Sequence, residues 1–256
     1  MNRIQHYFNL ILYRSWADFR IESTRMYLGV FWWILEPLLD TLVYYIVFGV
    51  FFQNKDPYFV PFLITGLIIW RFFSSSFLGA SHSIFQKIPL SRQVKVPKII
   101  FPCMAVLTRL YNLMFSILLL LVVFAIYHIY PSVHWLGGIA VFGVITLFIM
   151  GIALPASAII PFVPDLYLGI NHLVRLWFFL SGVFYNIRSL PENLQGLIKL
   201  NPMATLISYA RDCFMHQKYP DWNHLAIISI FSLVGIFIGV ILIGYFEHKY
   251  GKRVPV

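Results

Sequence analysis

Charge is what this chain has least of. Only 11% of its 256 residues are Asp, Glu, Lys or Arg, less than half of the roughly 25% in ordinary soluble domains, while 60% are hydrophobic. A water-soluble globule is excluded. Cysteine is also scarce: Cys103 and Cys213 form no CxxC pair and belong to no His/Cys spacing that closes a zinc site, so neither a disulfide framework nor a metal centre is expected. There is no G-x-x-x-x-G-K-[ST] phosphate loop, since Gly251-Lys252 is followed by Arg253; ATP is not bound by this chain in that way. No signal-peptide core opens the sequence, because Arg3, Arg14, Asp18, Arg20, Glu22 and Arg25 interrupt it. The N-terminus is expected to stay on the mature protein.

What fills the chain instead is apolar and aromatic. Phenylalanine, tyrosine and tryptophan make up 18% of it, more ring than a small core buries, so a bilayer is expected to take much of it. The fold class expected is an all-α integral membrane protein with a single domain over 1–256. Six stretches fit membrane spans, which need about 20 mainly apolar residues: Val30 to Phe52, Phe59 to Ala80, Ile100 to Ile129, Trp135 to Ile160, Leu168 to Tyr185 and Leu225 to Phe246. His172 and Arg175 interrupt the fifth. Within residues 1–25, Ile4, Phe8, Ile11, Leu12, Trp16 and Phe19 recur at helical spacing while most charges fall elsewhere on the wheel, the pattern of an interfacial helix lying on the membrane. Residues 186–223 hold two apolar stretches too short to span, Leu194 to Leu200 and Met203 to Met215, divided by Asn201-Pro202. Two short re-entrant helices dipping in from outside fit them, as does a plain external loop.

Lys and Arg number 19 against 10 Asp and Glu, and in a membrane protein such an excess marks cytoplasmic segments; nucleic acid is the weaker reading. With six spans, the N-terminal segment, the polar loop 81–98 and the tail share one side and hold eleven Lys and Arg. The other side holds Lys55, Arg188, Lys199, Arg211 and Lys218. Both termini are therefore expected in the cytoplasm. Pro89 and Pro97 break any continuous helix in the loop.

Candidate chemistry is sparse. His216 and Asp221 have the H-x4-D spacing of some acyltransferases, but Pro220 argues against a shared rigid element, and no other acid/base or nucleophile constellation is recognisable. Ionisable residues inside spans say more, since each costs about 2.5 to 3.5 kcal/mol unless paired or facing water. They are Glu36, Asp40, Arg71, Arg109 and Arg175. At 1.5 Å per residue, Asp40, Arg71 and Arg109 lie about 15, 12 and 14 Å from the inner edge, and Glu36 and Arg175 both about 10 Å. Asp40 is expected to pair with Arg71 or Arg109, and Glu36 with Arg175; a water-filled charged path is the competing reading. Tyr44, Tyr45 and Phe48 on the first span and Trp177 and Phe184 on the fifth are candidates for a path lined by rings, on whose faces sugars stack, with an interfacial belt as the alternative.

Arg25-Met-Tyr-Leu-Gly-Val-Phe-Trp-Trp-Ile-Leu-Glu-Pro37 resembles the R-x-x-LG-x-x-W-x-x-L-x-P approach to the first span of ABC transporter permeases that export polysaccharides. Gly66-Leu-Ile-Ile-Trp70 with Phe72-Phe73, Lys95 to Pro102, Phe179 to Tyr185, Leu190-Pro191 and Asn201-Pro202 resemble later segments of the family in order. One departure is Pro164-Asp165, where many relatives carry Arg-Asp. The resemblance implies a homodimer in the bacterial inner membrane, with the conduit between subunits and two copies of a separate ATPase holding ATP and Mg below. It implies no cofactor on this chain, no enzyme activity of its own, and a cargo of lipid-linked O-antigen, capsule or teichoic-acid polymer, O-antigen first. It also implies that the N-terminal helix and the segment 81–98, including Arg14, Ile84, Lys87 and Arg92, contact the ATPase. A lipid or small-molecule exporter of the same superfamily and an integral-membrane transferase acting on lipid-linked sugars are the alternatives.

Overall fold

In a chain this apolar, backbone polar groups must find partners within their own segment, and helices are the local solution. A computed structural model describes residues 3–25, 27, 29–53, 56–89 and 96–250, and among these there is no strand. The helices are α1 (Arg3–Arg25), α2 (Trp32–Tyr44), α3 (Phe59–Gln86), α4 (Ile100–Ile126), α5 (Trp135–Ile159), α6 (Asp165–Phe179), α7 (Glu192–Lys199), α8 (Pro202–Met215) and α9 (Trp222–Phe246). A 3-10 turn, Gly29–Phe31, leads into α2, which passes without a break into a π-helical stretch, Tyr45–Phe51. Side-chain caps set two starts: Asn201 Oδ1 accepts from the amides of Met203 and Ala204 with Pro202 at the first helical position, and Asp221 accepts from Asn223 and His224. Each supplies partners for amides that a helix start leaves over.

Five segments are long and apolar enough to cross a membrane: Gly29–Phe51, Phe59–Gln86, Ile100–Ile126, Trp135–Ile159 and Trp222–Phe246. The expected fifth span, Leu168 to Tyr185, is the exception. Its helix α6 has 15 residues, about 22 Å against a roughly 30 Å core. The chain turns after Leu180, with Gly182 at φ +63°, a left-handed conformation that glycine adopts without a Cβ clash. A second difference lies at the end of α3. Residues 81–86, expected in a polar loop, continue the helix because the Ser81 and Ser83 hydroxyls donate back to the carbonyls of Leu78 and Ala80 and Ile84 is buried.

Helix α3 forms the centre, with Leu63, Ile68, Phe73 and Ala80 almost fully buried against α4, α5 and α8. The α5–α9 pair packs closest. A Cβ on Gly151 would meet the Ser232 carbonyl at 2.7 Å, one on Gly235 the Gly151 carbonyl at 2.5 Å, and one on Gly239 the Leu154 Cβ at 2.4 Å. Small residues allow this approach, and lipid does not replace it. Gly151→Leu is therefore expected to lower the thermal stability of the purified protein by about 1 to 3 kcal/mol or more through overpacking. Gly143→Leu, at a glycine of the same helix with nothing within 4 Å, should leave the melting curve unchanged.

The amphipathic α1 packs along α4. Phe19, 7% exposed, stacks on Trp33 and Phe115 at 5.0 and 6.0 Å, and the Thr108 hydroxyl donates to the Ser15 carbonyl. Phe8, Tyr13 and Trp16 remain exposed, Trp16 with its ring edge-on to Tyr111 of α4 at 5.5 Å. At the far end of the chain, Tyr250 is fully buried, donates to the Ala158 carbonyl at 3.2 Å and closes a second core with Ile84, Phe101 and Ile243.

Candidate functional site

Two arginines hold the helices around a cavity of about 410 Å³ whose lining includes Trp32, Trp33, Arg71 and Arg109. Glu36 and Asp40 stand one turn apart on α2. Arg71 of α3 donates from Nη1 to Asp40 Oδ2 at 3.1 Å, and its Nη2 meets Glu36 Oε1. Arg109 instead makes two parallel bonds to Glu22 of α1, both 3.0 Å, and Asn112 donates to the same carboxylate at 3.2 Å. This is the bidentate geometry that suits guanidinium to carboxylate. The expected Glu36–Arg175 pair is absent: Glu36 is on Arg71, while Arg175 is exposed on α6. Position along a helix sets depth but not the angle around its axis, and α1, read from its pattern as a helix on the membrane surface, packs against α4 and brings Glu22 to Arg109.

The ring candidates separate into two environments. Phe48 and Phe184 stack at 4.8 Å with planes 5° apart. Tyr44 lies 6.0 Å from Phe184 and 5.6 Å from Phe178, so the π-helical end of α2 and the turn after α6 share one aromatic stack. Phe178, tilted against Tyr44, and Phe52, stacked on Phe48, adjoin it. Trp177 points elsewhere. Its ring packs edge-on to Phe73 at 5.2 Å and Phe148 at 6.3 Å, and its Nε1 donates to Asn201 Oδ1 at 2.8 Å. Tyr45 is exposed, with Phe59 the nearest ring at 6.5 Å.

Of the residues expected to face an ATPase, Arg14 is exposed and bonded to Asp18 at 3.3 Å, and Lys87 reaches the same carboxylate at 4.0 Å. Asp18 thus joins the middle of α1 to the end of α3. Ile84 is 1% exposed inside the second core, which removes it from any contact surface; an apolar residue next to a polar loop is as readily the last buried turn of a helix. Arg92 lies outside the described residues.

One residue that the sequence offers only as an external positive charge ties several elements together near the start of α3. Arg211 of α8 is 4% exposed and its guanidinium donates to three backbone carbonyls: Phe62 at 3.0 Å, Gly182 at 2.7 Å and Val183 at 2.6 Å. It also lies 3.4 Å over the Phe62 ring. A Cβ on Gly66 would come within 2.2 Å of its Nη2, so the small residue in α3 makes the room. Beside it, Asp212 takes Arg188 at 2.6 Å and His216 at 3.5 Å. Together these contacts fasten α8 and the turn after α6 onto α3. Among the described residues, no group of His, Cys, Asp and Glu is placed to hold a metal ion.

The chain is similar over nearly its full length to proteins of known role. It is 24% identical over 246 residues to the O-antigen export system permease protein RfbA of Klebsiella pneumoniae, covering 96% of this chain and 95% of that one. It is 28% identical over 240 residues to the RfbA permease of Myxococcus xanthus, 91% of each. It is 24% identical over 233 residues to the polysialic acid transport protein KpsM of Escherichia coli, 88% of each. Residues 8–215 match the profile of the ABC-2 type transporters, and the chain, a multi-pass membrane protein, belongs to that family.

Proposed function

We propose that this chain is the transmembrane subunit of an ATP-driven exporter that moves lipid-linked polysaccharide, O-antigen first, across the bacterial inner membrane. The observation that carries this reading is the near-complete coverage of the O-antigen export permeases. The working unit is a homodimer with two copies of a separate ATPase, which holds ATP and Mg, and both termini lie in the cytoplasm. The test is genetic and biochemical together: the gene should restore surface polymer to an export-deficient strain, and the chain should co-purify with the ATPase. Polymer synthesis by the chain alone, with no ATPase attached, would overturn it in favour of a transferase.

The sixth crossing is α6 completed by the segment after it. Trp177 sits on Phe73 and Phe148, which lie about 21 and 20 Å along their helices from Phe59 and Trp135 at 1.5 Å per residue. Asn201, bonded to Trp177 and to the Leu180 carbonyl, is therefore deep, and α8 returns from it to Trp135, whose Nε1 donates to the Phe214 carbonyl. This supports α7 and α8 as a re-entrant pair, with the backbone amide and carbonyl of Asn201 at the apex bonded to Ile198 and Thr205, as a membrane demands of backbone at depth. The Tyr44–Phe48–Phe184 stack borders the path, where a moving glycan needs many weak contacts, since one tight site would trap it.

The end of α3 and the α1 face beside it form the docking surface for the ATPase. Charge reversal at Lys87 together with Arg92 should lower coupled ATP turnover in vesicles several-fold, with the amount of inserted permease unchanged. Unchanged turnover would sink this assignment.

A further inference from the structure

The aromatic stack does not end at Phe184. That ring also forms part of a second cavity, of about 730 Å³, at the Tyr58 end of the bundle. Four separate pieces of chain wall it: the start of α3, the turn between α4 and α5, the segment after Phe184, and the end of α8. Its volume falls in the range of ligand sites, roughly 300 to 1,000 Å³.

The lining has a definite chemical character. Tyr58, Tyr130 and Tyr185 present rings, and Asn186 and Gln217 bring amides among them. His128 Nδ1 lies 3.3 Å from the Tyr130 hydroxyl, orienting that ring on its wall. Asp56 is in the lining, and no Lys or Arg is among its described residues. A phosphate or pyrophosphate group calls for guanidinium or ammonium partners, and none lines this cavity among the described residues. Rings flanked by amides suit another kind of ligand: an uncharged sugar, with apolar C–H faces for the rings and hydroxyls for the amides. Of the three non-glycine residues with positive φ among those described, His128 at 56° and Gln217 at 51° both stand in this lining. Such conformations cost energy and persist where the surroundings over-determine them, as at binding sites.

We infer that this cavity is an exit-side binding site for uncharged sugar units of the exported chain, receiving them as they leave the Tyr44–Phe48–Phe184 stack. The inference rests on the export reading, with the Tyr58 end outermost. A site of this kind, open and made of weak contacts, holds emerging units between strokes of the ATPase and so opposes back-sliding, without the tight grip that would stop the polymer.

The test uses the intact exporter in cells, first checked for restored surface polymer; failure at that step overturns the export reading itself. A photo-cross-linking phenylalanine analogue is then placed at Tyr130, at Gln217 and, for comparison, at Tyr44. Irradiation during export should give adducts carrying the polymer, detected with antibody to it, at all three positions, and these should vanish when the ATPase is inactivated. Adducts at Tyr44 with none at Tyr130 and Gln217 would overturn the exit site and leave the export reading standing. Tyr130→Ala and Tyr185→Ala should each slow export about three- to tenfold, the loss of one ring's stacking, with complex yield unchanged, while Tyr130→Phe keeps most of the rate. Equal rates in the alanine and phenylalanine variants would also overturn it.

Discussion

Arg211→Gln is expected to destabilise the protein by at least about 3 kcal/mol, since hydrogen bonds to a charged group contribute about 1.5 to 3 kcal/mol each and three are lost together. The carbonyls of Phe62, Gly182 and Val183 would be left without their donor in a site that water does not reach. Arg211→Lys should recover little, because an ammonium on a flexible stem does not reproduce the fixed fork of donors. Gly66→Ala attacks the same clamp from the other side, since its Cβ falls 2.2 Å from the guanidinium. All three are checked by thermal unfolding of the purified complex and by surface polymer in cells. A melting curve for Arg211→Gln within error of the parent would mean that the three bonds contribute nothing to holding α8.

Arg71→Gln should have the next largest effect, and its signature is non-additivity. Alone, it leaves Glu36 and Asp40 one turn apart on α2 without their counter-charge. In a span, an unpaired charge costs about 2.5 to 3.5 kcal/mol on insertion scales. The triple change Glu36→Gln, Asp40→Asn, Arg71→Gln removes the charges together and should assemble better than Arg71→Gln alone, because a partnerless ion keeps its desolvation cost. Asp40→Asn by itself should be mild, as Glu36 remains on Arg71. Combined with Arg109→Gln it should be nearly additive, since Arg109 answers to Glu22 and meets the Arg71 cluster only as a like charge across the shared cavity, a weaker coupling than a common ion pair. The readout is the yield of assembled complex and of surface polymer; simple additivity across the Arg71 set would mean that these ions act independently.

The parts of this fold that depend on a run of apolar residues are legible in the sequence alone. The spans of α3, α4, α5 and α9 need only length and hydropathy, and their starts and stops at Asp56-Pro57, Pro131 and Asp221 are local signals. The path after Leu168 was harder, because an apolar composition continues through Leu180 and Phe184 while the backbone turns at Gly182. Of the charged contacts, Asp40 and Arg71 come together from neighbouring spans where depth is informative, whereas Glu22 was missed because an amphipathic α1 reads equally as a helix on the membrane surface or one laid against α4. Arg211 left no side-chain pattern at all. Its partners are backbone oxygens, so an arginine in a polar-looking segment counted only as an external positive charge. The one trace was Gly66 in the middle of an apolar helix, and a glycine there marks a close approach by something.

The glycine-to-backbone seam between α5 and α9 also sets an order of events during synthesis. The groove on α5 that receives Ser232, Gly235 and Gly239 is made first, and its occupant leaves the ribosome about 80 residues later, which at 5 to 20 residues per second is about 4 to 16 s. For that interval the nascent chain holds a tight, glycine-floored groove with nothing in it, and only the arrival of α9, followed by the burial of Tyr250 against Ala158, closes it. The arrival of α9 is therefore the step that completes this face, and a chain that stops before Trp222 has its earlier long helices in place while its α5 face remains open to other helices in the bilayer.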